Sequence, residues 1–274
     1  MLRKKQSKNE IFLYYLLPER WYATIVQGGD GMSKKGLSQE MLKCIACVAM
    51  LIDHVGATLI YKLARDNAAF RTLYEVMRMI GRLSFPIFCF LLVEGAHHTR
   101  NPRRYALRLA LSAVLSELPY DLALRGGLDW RHQNVMVTLL LGFFMLKAME
   151  KCPGLWQKLL AAVPFLLLAR WIRCDYGMNG IFVILLFELT REEPRKRLLQ
   201  FFGLWFAFSP SHAMMLGWLN GFHIATQEWA LLALIPISQY SGRKVTASRW
   251  VQRSFYLFYP LHLLVLYGLG LCIR

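Results

Sequence analysis

The chain has 274 residues, of which 56% are hydrophobic and only 18% are charged. This composition argues against a soluble enzyme and excludes a disordered chain, a collagen-like chain and a disulfide scaffold. The net charge is +16, but the basic residues lie between apolar stretches and form no single patch, so we expect no nucleic-acid partner.

Apolar stretches recur along the whole chain and are separated by short basic loops, which is typical of a helical membrane protein. We therefore expect an all-α polytopic integral membrane protein with about nine transmembrane helices (eight to ten), several of them short or kinked by proline. The predicted spans are 42–61, 79–96, 105–123, 134–149, 159–172, 179–190, 198–209, 229–240 and 254–272. Residues 211–224 are expected on the outer face or as a re-entrant segment.

The distribution of Lys and Arg predicts the orientation in the bilayer. With the N-terminus inside, the cytoplasmic segments carry 21 Lys and Arg residues and the opposite side carries eight. The positive-inside rule therefore favours a cytoplasmic N-terminus. Residues 1–41 form a basic segment, for which an interfacial helix and an over-long start of the reading frame both fit, and 42–274 form the transmembrane domain.

Ionisable residues inside apolar spans are costly and mark functional candidates. The first span carries Asp53 and His54 near its middle, and a histidine exchanges a proton near neutral pH, as a general base must. Neighbouring residues on a helix point about 100° apart, so Asp53 is not expected to orient the His54 ring. We expect Asp53 to pair with Arg82 of the second span, which Pro86 is expected to kink.

Further polar residues occur in the third and last spans. Glu117 and Asp121 are four residues apart and are expected to share one helix face, where they would hold charge and geometry. His262 lies near the middle of the last span, so it is expected to meet His54 in one cavity. Each of these groups also fits a role as an interhelical hydrogen-bonding residue in helix packing.

Basic residues at the cytoplasmic edges of the spans fit the positive-inside rule and also fit the binding of phosphates. The candidates are Arg100, Arg103, Arg104, Arg108, Lys196 and Arg197. No metal is expected, because neither His97-His98 nor Cys44-x-x-Cys47 has further ligands at a suitable spacing.

Motifs spread over residues 42–272 resemble those of the TraX family of bacterial membrane proteins. They are Leu42-Lys43-Cys44-Ile45-Ala46, Met50-Leu51-Ile52-Asp53-His54-Val55-Gly56, Gly81-Arg82-Leu83-Ser84-Phe85-Pro86-Ile87-Phe88, Glu94-Gly95, Ser116-Glu117-Leu118-Pro119, Asn134-Val135-Met136-Val137-Thr138, Asp175-Tyr176-Gly177 and Phe258-Tyr259-Pro260-Leu261-His262-Leu263. The chain departs from the family pattern at Ser241-Gly242-Arg243, where an Asn is expected in place of Ser, and in its long N-terminal segment.

TraX proteins are associated with N-terminal acetylation of conjugative pilin and look distantly similar to the acyltransferase-3 superfamily. The resemblance implies a multi-pass protein of the bacterial cytoplasmic (inner) membrane that uses cytosolic acetyl-CoA as acyl donor and His54 as intramembrane base. On this hypothesis, Arg82 or His262 stabilises the oxyanion, and the acceptor is a peptide or pilin N-terminus, a glycan or an envelope component. A proton-coupled transporter or flippase and a non-catalytic membrane assembly factor are the alternatives.

Overall fold

The computed structural model describes residues 36–64, 67–191, 196–208, 227–243 and 249–273, and these residues form helices without a β-strand. The all-α prediction is therefore confirmed. Of the predicted N-terminal segment 1–41, only residues from 36 onward are described, and the predicted outer or re-entrant segment 211–224 lies outside the described residues.

The described residues contain eleven α-helices, one of them only three residues long, and three other helical segments. The α-helices used below are α1 (Gln39–Val55), α2 (Ala68–Gly81), α3 (Ser84–His98), α4 (Pro102–Tyr120), α5 (Val135–Met149), α6 (Leu155–Trp171), α7 (Gly177–Thr190), α8 (Arg197–Phe208), α9 (Leu234–Ser238) and α10 (Arg249–Cys272). The other segments are π-helices at Gly56–Ile60 and Asp121–Arg125 and a 3-10 helix at Gln227–Ala233; a short turn of α-helix, Tyr61–Leu63, follows the first π-helix.

Polar side chains fix where several helices begin. Ser38 Oγ accepts a hydrogen bond from Met41 N at the start of α1, and Asn67, Asn101 and Asn134 cap α2, α4 and α5 in the same way. Such caps satisfy backbone N–H groups that have no partner inside the helix. Three predicted spans, 42–61, 105–123 and 134–149, therefore start at or within a few residues of a capping side chain.

The second predicted span, 79–96, differs most from the structure. Helix α2 ends at Gly81 and α3 begins at Ser84, so the chain breaks between them. Pro86 lies in the first turn of α3, where its missing N–H has no helical partner to lose. Pro86 also cannot donate a hydrogen bond to Arg82 O and its ring crowds that carbonyl, so the interruption at Arg82 and Leu83, whose backbone stays in the right-handed helical region, is the distortion expected from this proline.

The predicted span 229–240 is also not one continuous α-helix. Residues Gln227–Ala233 form a 3-10 helix, and α9 follows for only five residues, Leu234–Ser238. By contrast, α5, α7 and α8 begin and end within two residues of the predicted spans.

Contacts between helix termini define two ends of the bundle. At the proximal end, Leu37 N donates to Gln239 O at 2.8 Å, and His97 Nε2 lies 2.7 Å from Glu188 Oε2. At the distal end, Asp175 N donates to Gln133 O at 2.8 Å. Helices α1, α4, α6, α8 and α10 run from the proximal to the distal end, and α3, α5 and α7 run back.

Three helical stretches are long and apolar enough to cross a bilayer: Gln39–Leu63, Ala68–His98 and Ser254–Cys272. Three shorter apolar helices are Val135–Met149, Gly177–Thr190 and Arg197–Phe208. The predicted number of about nine crossings stays a prediction, because the short helices reach less than the ~20 residues of a straight span.

Candidate functional site

A cavity of about 1320 Å³ lies among the helices and is lined by residues from both ends of the bundle. Lys43 and Arg100 line it near the proximal end, and Arg125 and Asp175 line it near the distal end. His54 lines it between them. A group in the cavity can therefore approach His54 along a polar wall from either direction.

The two predicted histidines meet in this region. His54 Nδ1 lies 2.7 Å from His262 Nε2, and the two rings are coplanar within 2° with their centroids 5.0 Å apart. This combination places the rings edge to edge, joined by a hydrogen bond in their common plane. Helices α1 and α10 thus bring together residues that are 208 positions apart in the chain.

Their hydrogen bonds determine which nitrogen carries each proton. His262 Nδ1 lies 2.7 Å from Phe258 O, and a carbonyl oxygen only accepts, so His262 Nδ1 carries a hydrogen. In the neutral ring, His262 Nε2 is then an acceptor, and His54 Nδ1 must donate to it. This leaves His54 Nε2 without a hydrogen, which is the state that a general base requires.

Asp53 points away from this histidine pair, as the helical geometry predicts. Asp53 Oδ2 lies 2.6 Å from Arg78 Nη1, and Asp53 Oδ1 lies 3.4 Å from Arg82 Nη2. The predicted contact with Arg82 is present, but Arg78 is the nearer partner. Because α1 lies between α2 and α10, its consecutive residues 53 and 54 reach two different neighbours.

Arg82 is held at the break between α2 and α3. Its Nε donates to Arg78 O at 3.3 Å and its Nη1 donates to Gln227 Oε1 at 3.3 Å, in addition to the contact with Asp53. Gly81 makes this approach possible, because a Cβ at this position would collide with the Asp53 side chain. Gly81 therefore leaves room for the Asp53 side chain, and the neighbouring Arg82 holds its guanidinium group in a fixed position.

Asp175 and Tyr176 close the distal wall of the cavity. Thr138 Oγ1 donates to Asp175 O, and the Tyr176 ring stacks on Phe85 with centroids 3.7 Å apart. Tyr176 has a left-handed φ of 61°, which is strained for a residue with a side chain and is often found at functional sites. The surrounding protein desolvates the Asp175 carboxyl and raises its pKa, although nearby Arg82 and Arg125 oppose this shift.

The six predicted phosphate-binding residues divide into two groups. Arg100 and Arg108 line the cavity, together with Lys43, and the Arg108 guanidinium lies over the rings of Tyr105 and Tyr256 at 5.7 Å each. The remaining four do not line the cavity: Arg103, Arg104, Lys196 and Arg197. Lys196 Nζ instead donates to Leu189 O at 3.3 Å.

Glu117 and Asp121 are not brought to the histidines. Glu117 Oε2 accepts from the Asn134 side chain and from Asn134 N at 3.3 Å, and Asp121 Oδ2 accepts from Asp129 N at 2.9 Å. Neither residue lines the cavity. Both carboxylates hold the loop that leads from α4 into α5, so the geometry they hold, as the sequence analysis expects of them, is that of this loop and not of the cavity.

The structure adds residues to the site that the sequence analysis did not select. Arg78 lies just outside the predicted span 79–96, yet it is in the last turn of α2, four residues before Arg82, and binds Asp53. Lys43, Asp175, Tyr176 and Gln227 also line the cavity. The i, i+4 spacing of Arg78 and Arg82 was the available signal. Among the described residues, no cluster of three or more His, Cys, Asp or Glu could hold a metal ion.

Comparison with known proteins gives one family match and two relatives. A family model described as TraX protein matches residues 38–270. The chain is 30% identical over 250 residues to the probable fimbrial assembly protein FimC, serogroup H1, of Dichelobacter nodosus, with 84% of this chain and 94% of that protein covered. It is 22% identical over 242 residues to an uncharacterized protein of Rickettsia prowazekii (strain Madrid E), with 83% and 90% covered. No solved structure gives a significant match.

Proposed function

This chain belongs to the TraX family, and on that premise we propose that it is an acetyltransferase embedded in the bacterial cytoplasmic membrane. It transfers an acetyl group from cytosolic acetyl-CoA to an acceptor hydroxyl or amine, with His54 as general base. A peptide or pilin N-terminus, a glycan and an envelope component are the acceptor classes that fit this chemistry.

The surface of the helices supports a place in the bilayer. Large apolar side chains face outward, among them Val114 at 75% exposure and Leu160 at 73%. Trp156 and Trp171 are also exposed and stand at opposite ends of α6, where indole rings suit the two membrane interfaces. The excess of Lys and Arg in the proximal segments favours a cytoplasmic proximal end.

The single observation that carries the proposal is the hydrogen bond between His54 and His262 on the wall of a large cavity, from which we infer that His54 Nε2 carries no hydrogen. His262 fixes this tautomer by accepting the Nδ1 hydrogen. A histidine that only packs between helices does not need a partner that fixes which of its ring nitrogens carries the hydrogen. The pair therefore has the arrangement of a base and its orienting group, in which a second imidazole replaces the more familiar carboxylate.

The proximal half of the cavity suits the donor. Lys43, Arg100 and Arg108 supply cationic groups for the phosphates of acetyl-CoA, and Tyr105 and Tyr256 present aromatic rings beside Arg108. These residues lie on the side that the charge distribution assigns to the cytoplasm. The thioester of a donor bound there can extend toward His54 along the cavity.

The reaction balances without a further reagent. His54 Nε2 takes the proton of the acceptor O–H or N–H as that oxygen or nitrogen bonds to the thioester carbonyl carbon. Arg82, held by three hydrogen bonds, supplies positive charge for the oxyanion. When the carbon–sulfur bond breaks, the proton passes from His54 to the CoA thiolate, and the products are the acetylated acceptor and free CoA.

The test uses the purified full chain in lipid vesicles with radiolabelled acetyl-CoA and the envelope fraction of the host bacterium. We expect label to enter an envelope component, and His54→Ala to slow this transfer by about 10² to 10⁴. His132→Ala is the matched control, because His132 pairs with Asp129 in a loop and does not line the cavity.

Each alternative has its own outcome in the same experiment. Binding of acetyl-CoA with full transfer in His54→Ala would remove His54 from the chemistry. An assembly factor would neither bind acetyl-CoA nor release CoA. A transporter would accumulate a solute in the vesicles without acetylating anything.

A further inference from the structure

The distal half of the cavity carries more positive than negative side chains. Arg78, Arg82 and Arg125 line it, opposed by Asp53 and Asp175. Positive side chains in a confined space need nearby negative charge. Among the described residues, this half of the cavity has fewer carboxylates than guanidinium groups, so its positive charge is not fully balanced.

The two guanidiniums beside Asp53 differ in how fully they are used. Arg82 is buried and donates from Nε, Nη1 and Nη2. Arg78 retains 24% side-chain exposure and, within the described part of the chain, donates only from Nη1 to Asp53. Its Nε and Nη2 donors therefore remain for another oxyanion, and a guanidinium presents such donors in a fork that fits a carboxylate or a phosphate.

We infer that the distal half of the cavity is an anion-binding subsite, in which Arg78 binds a carboxylate or phosphate group carried by the acetyl acceptor. The inference rests on the proposed function for the word acceptor, but the anion site itself is defined by Arg78, Arg82 and Asp53. Asp53 has two roles there. It holds Arg78 in place, and it competes with the anion for the same guanidinium.

This competition gives the test its sharpest feature, because two members of one ion pair should change anion affinity in opposite directions. Arg78→Gln removes the binding group, and we expect it to weaken anion binding by at least about tenfold. Asp53→Asn removes the competing charge, and we expect it to strengthen anion binding. Loss of folding cannot produce both results.

The experiment measures the melting temperature of the purified full chain in detergent during titration with sodium phosphate or sodium succinate. Sodium chloride keeps the ionic strength constant. A ligand that binds only the folded state stabilises it by RT ln(1 + [L]/Kd), so the rise of the melting temperature with ligand concentration gives an affinity. All variants carry Arg108→Gln in addition, which weakens phosphate binding in the proximal half and serves as their common reference.

The outcomes separate cleanly. Stabilisation of the Arg108→Gln chain by phosphate, succinate or both, reduced by Arg78→Gln and increased by Asp53→Asn, supports the site and shows which anion it prefers. Absence of stabilisation by both anions, an unchanged affinity in Arg78→Gln, or a weaker affinity in Asp53→Asn would overturn it. Failure of the chain to bind acetyl-CoA would instead refute the proposed function and leave the anion titrations interpretable.

Discussion

His262 Nε2 accepts a hydrogen bond from His54 Nδ1 at 2.7 Å, and Phe258 O holds the other nitrogen of the His262 ring. The order Phe258 O, His262, His54 is a directed chain of two hydrogen bonds. It makes His262 a positioning residue whose own tautomer is set by the backbone of α10. From the sequence, both a packing role and a catalytic role fit His262. In this geometry, His262 connects α10 to α1 and also orients the His54 ring.

Replacement of His262 by Ala should remove the hydrogen bond that fixes the tautomer of His54. The His54 ring would then exchange its proton between Nδ1 and Nε2, so we expect acetyl transfer to slow by about 10- to 100-fold while the KM for acetyl-CoA stays the same. His262→Gln is the conservative variant, because its amide oxygen can accept from His54 Nδ1. Nitrogen-15 NMR of labelled histidine should show Nδ1 protonation of His54 in the parent and a mixture in His262→Ala. An unmixed tautomer in that variant would contradict the orienting role.

Gly81→Ala should disturb the ion pairs of Asp53, because the added Cβ collides with the Asp53 side chain. Overpacking of this kind costs about 1 to 3 kcal/mol. We expect a lower melting temperature in detergent and weaker acetyl transfer.

Gly268→Ala in α10 is the matched control for this substitution. A Cβ at Gly268 meets nothing within 4 Å, and Ala favours a helix over Gly by up to about 1 kcal/mol. We expect Gly268→Ala to leave the melting temperature unchanged or to raise it. A larger loss of stability in Gly268→Ala than in Gly81→Ala would refute the steric explanation.

Asn134→Ala should be more damaging than the loss of an ordinary helix cap. Asn134 is fully buried, caps α5 through Met136 N, and donates to Ala113 O at 2.8 Å and to Glu117. Its removal takes away a cap and two buried side-chain hydrogen bonds and leaves Glu117 only the weaker bond from the backbone N of residue 134, so we expect a loss of about 2 to 4 kcal/mol in the free energy of unfolding.

The comparison for this loss is Asn67→Ala. Asn67 caps α2 through Ala69 N at 2.9 Å but is exposed, so its replacement should cost only about 1 kcal/mol. Equal losses in the two variants, measured by unfolding in detergent, would show that the buried network around Asn134 adds nothing.

Arg108→Gln and Arg100→Gln should weaken the binding of acetyl-CoA, because both residues line the proximal half of the cavity. A charge-assisted hydrogen bond contributes roughly 1.5 to 3 kcal/mol, so each substitution should raise the Kd about tenfold or more. Arg103→Gln and Arg104→Gln provide the controls, since these residues lie between Arg100 and Arg108 in the first turn of α4 and do not line the cavity. The Kd is measured by isothermal titration. A larger rise in Kd in the two controls would indicate that the donor binds on the proximal surface and not in the cavity.

The existence and approximate bounds of most helices could be predicted because apolar runs and capping residues are local signals. The interruption near Arg82 also has a local signal, since Pro86 cannot donate a hydrogen bond to Arg82 O. The contacts of Arg82 with Asp53 and Gln227 are tertiary, and only the first of them was expected from the sequence.

The candidate site could be predicted where a polar residue interrupts an apolar span, as at His54, Asp53, Arg82 and His262. It could not be predicted for Arg78, because a basic residue just outside a predicted span has the same pattern as a topology signal. Glu117 also interrupts a span, but it holds Asn134 at the start of α5 and does not line the cavity.

The contacts between the first and last helices impose a requirement on chain length. His54 meets His262, and Lys62 donates to Gly270 O, so both pairs have the same sequence separation of 208. The π-helix Gly56–Ile60 lies between the two contacts on one side. A single residue gained or lost in that segment would preserve one contact at the expense of the other. Substitutions in the π-helix Gly56–Ile60 should therefore be tolerated far better than insertions or deletions.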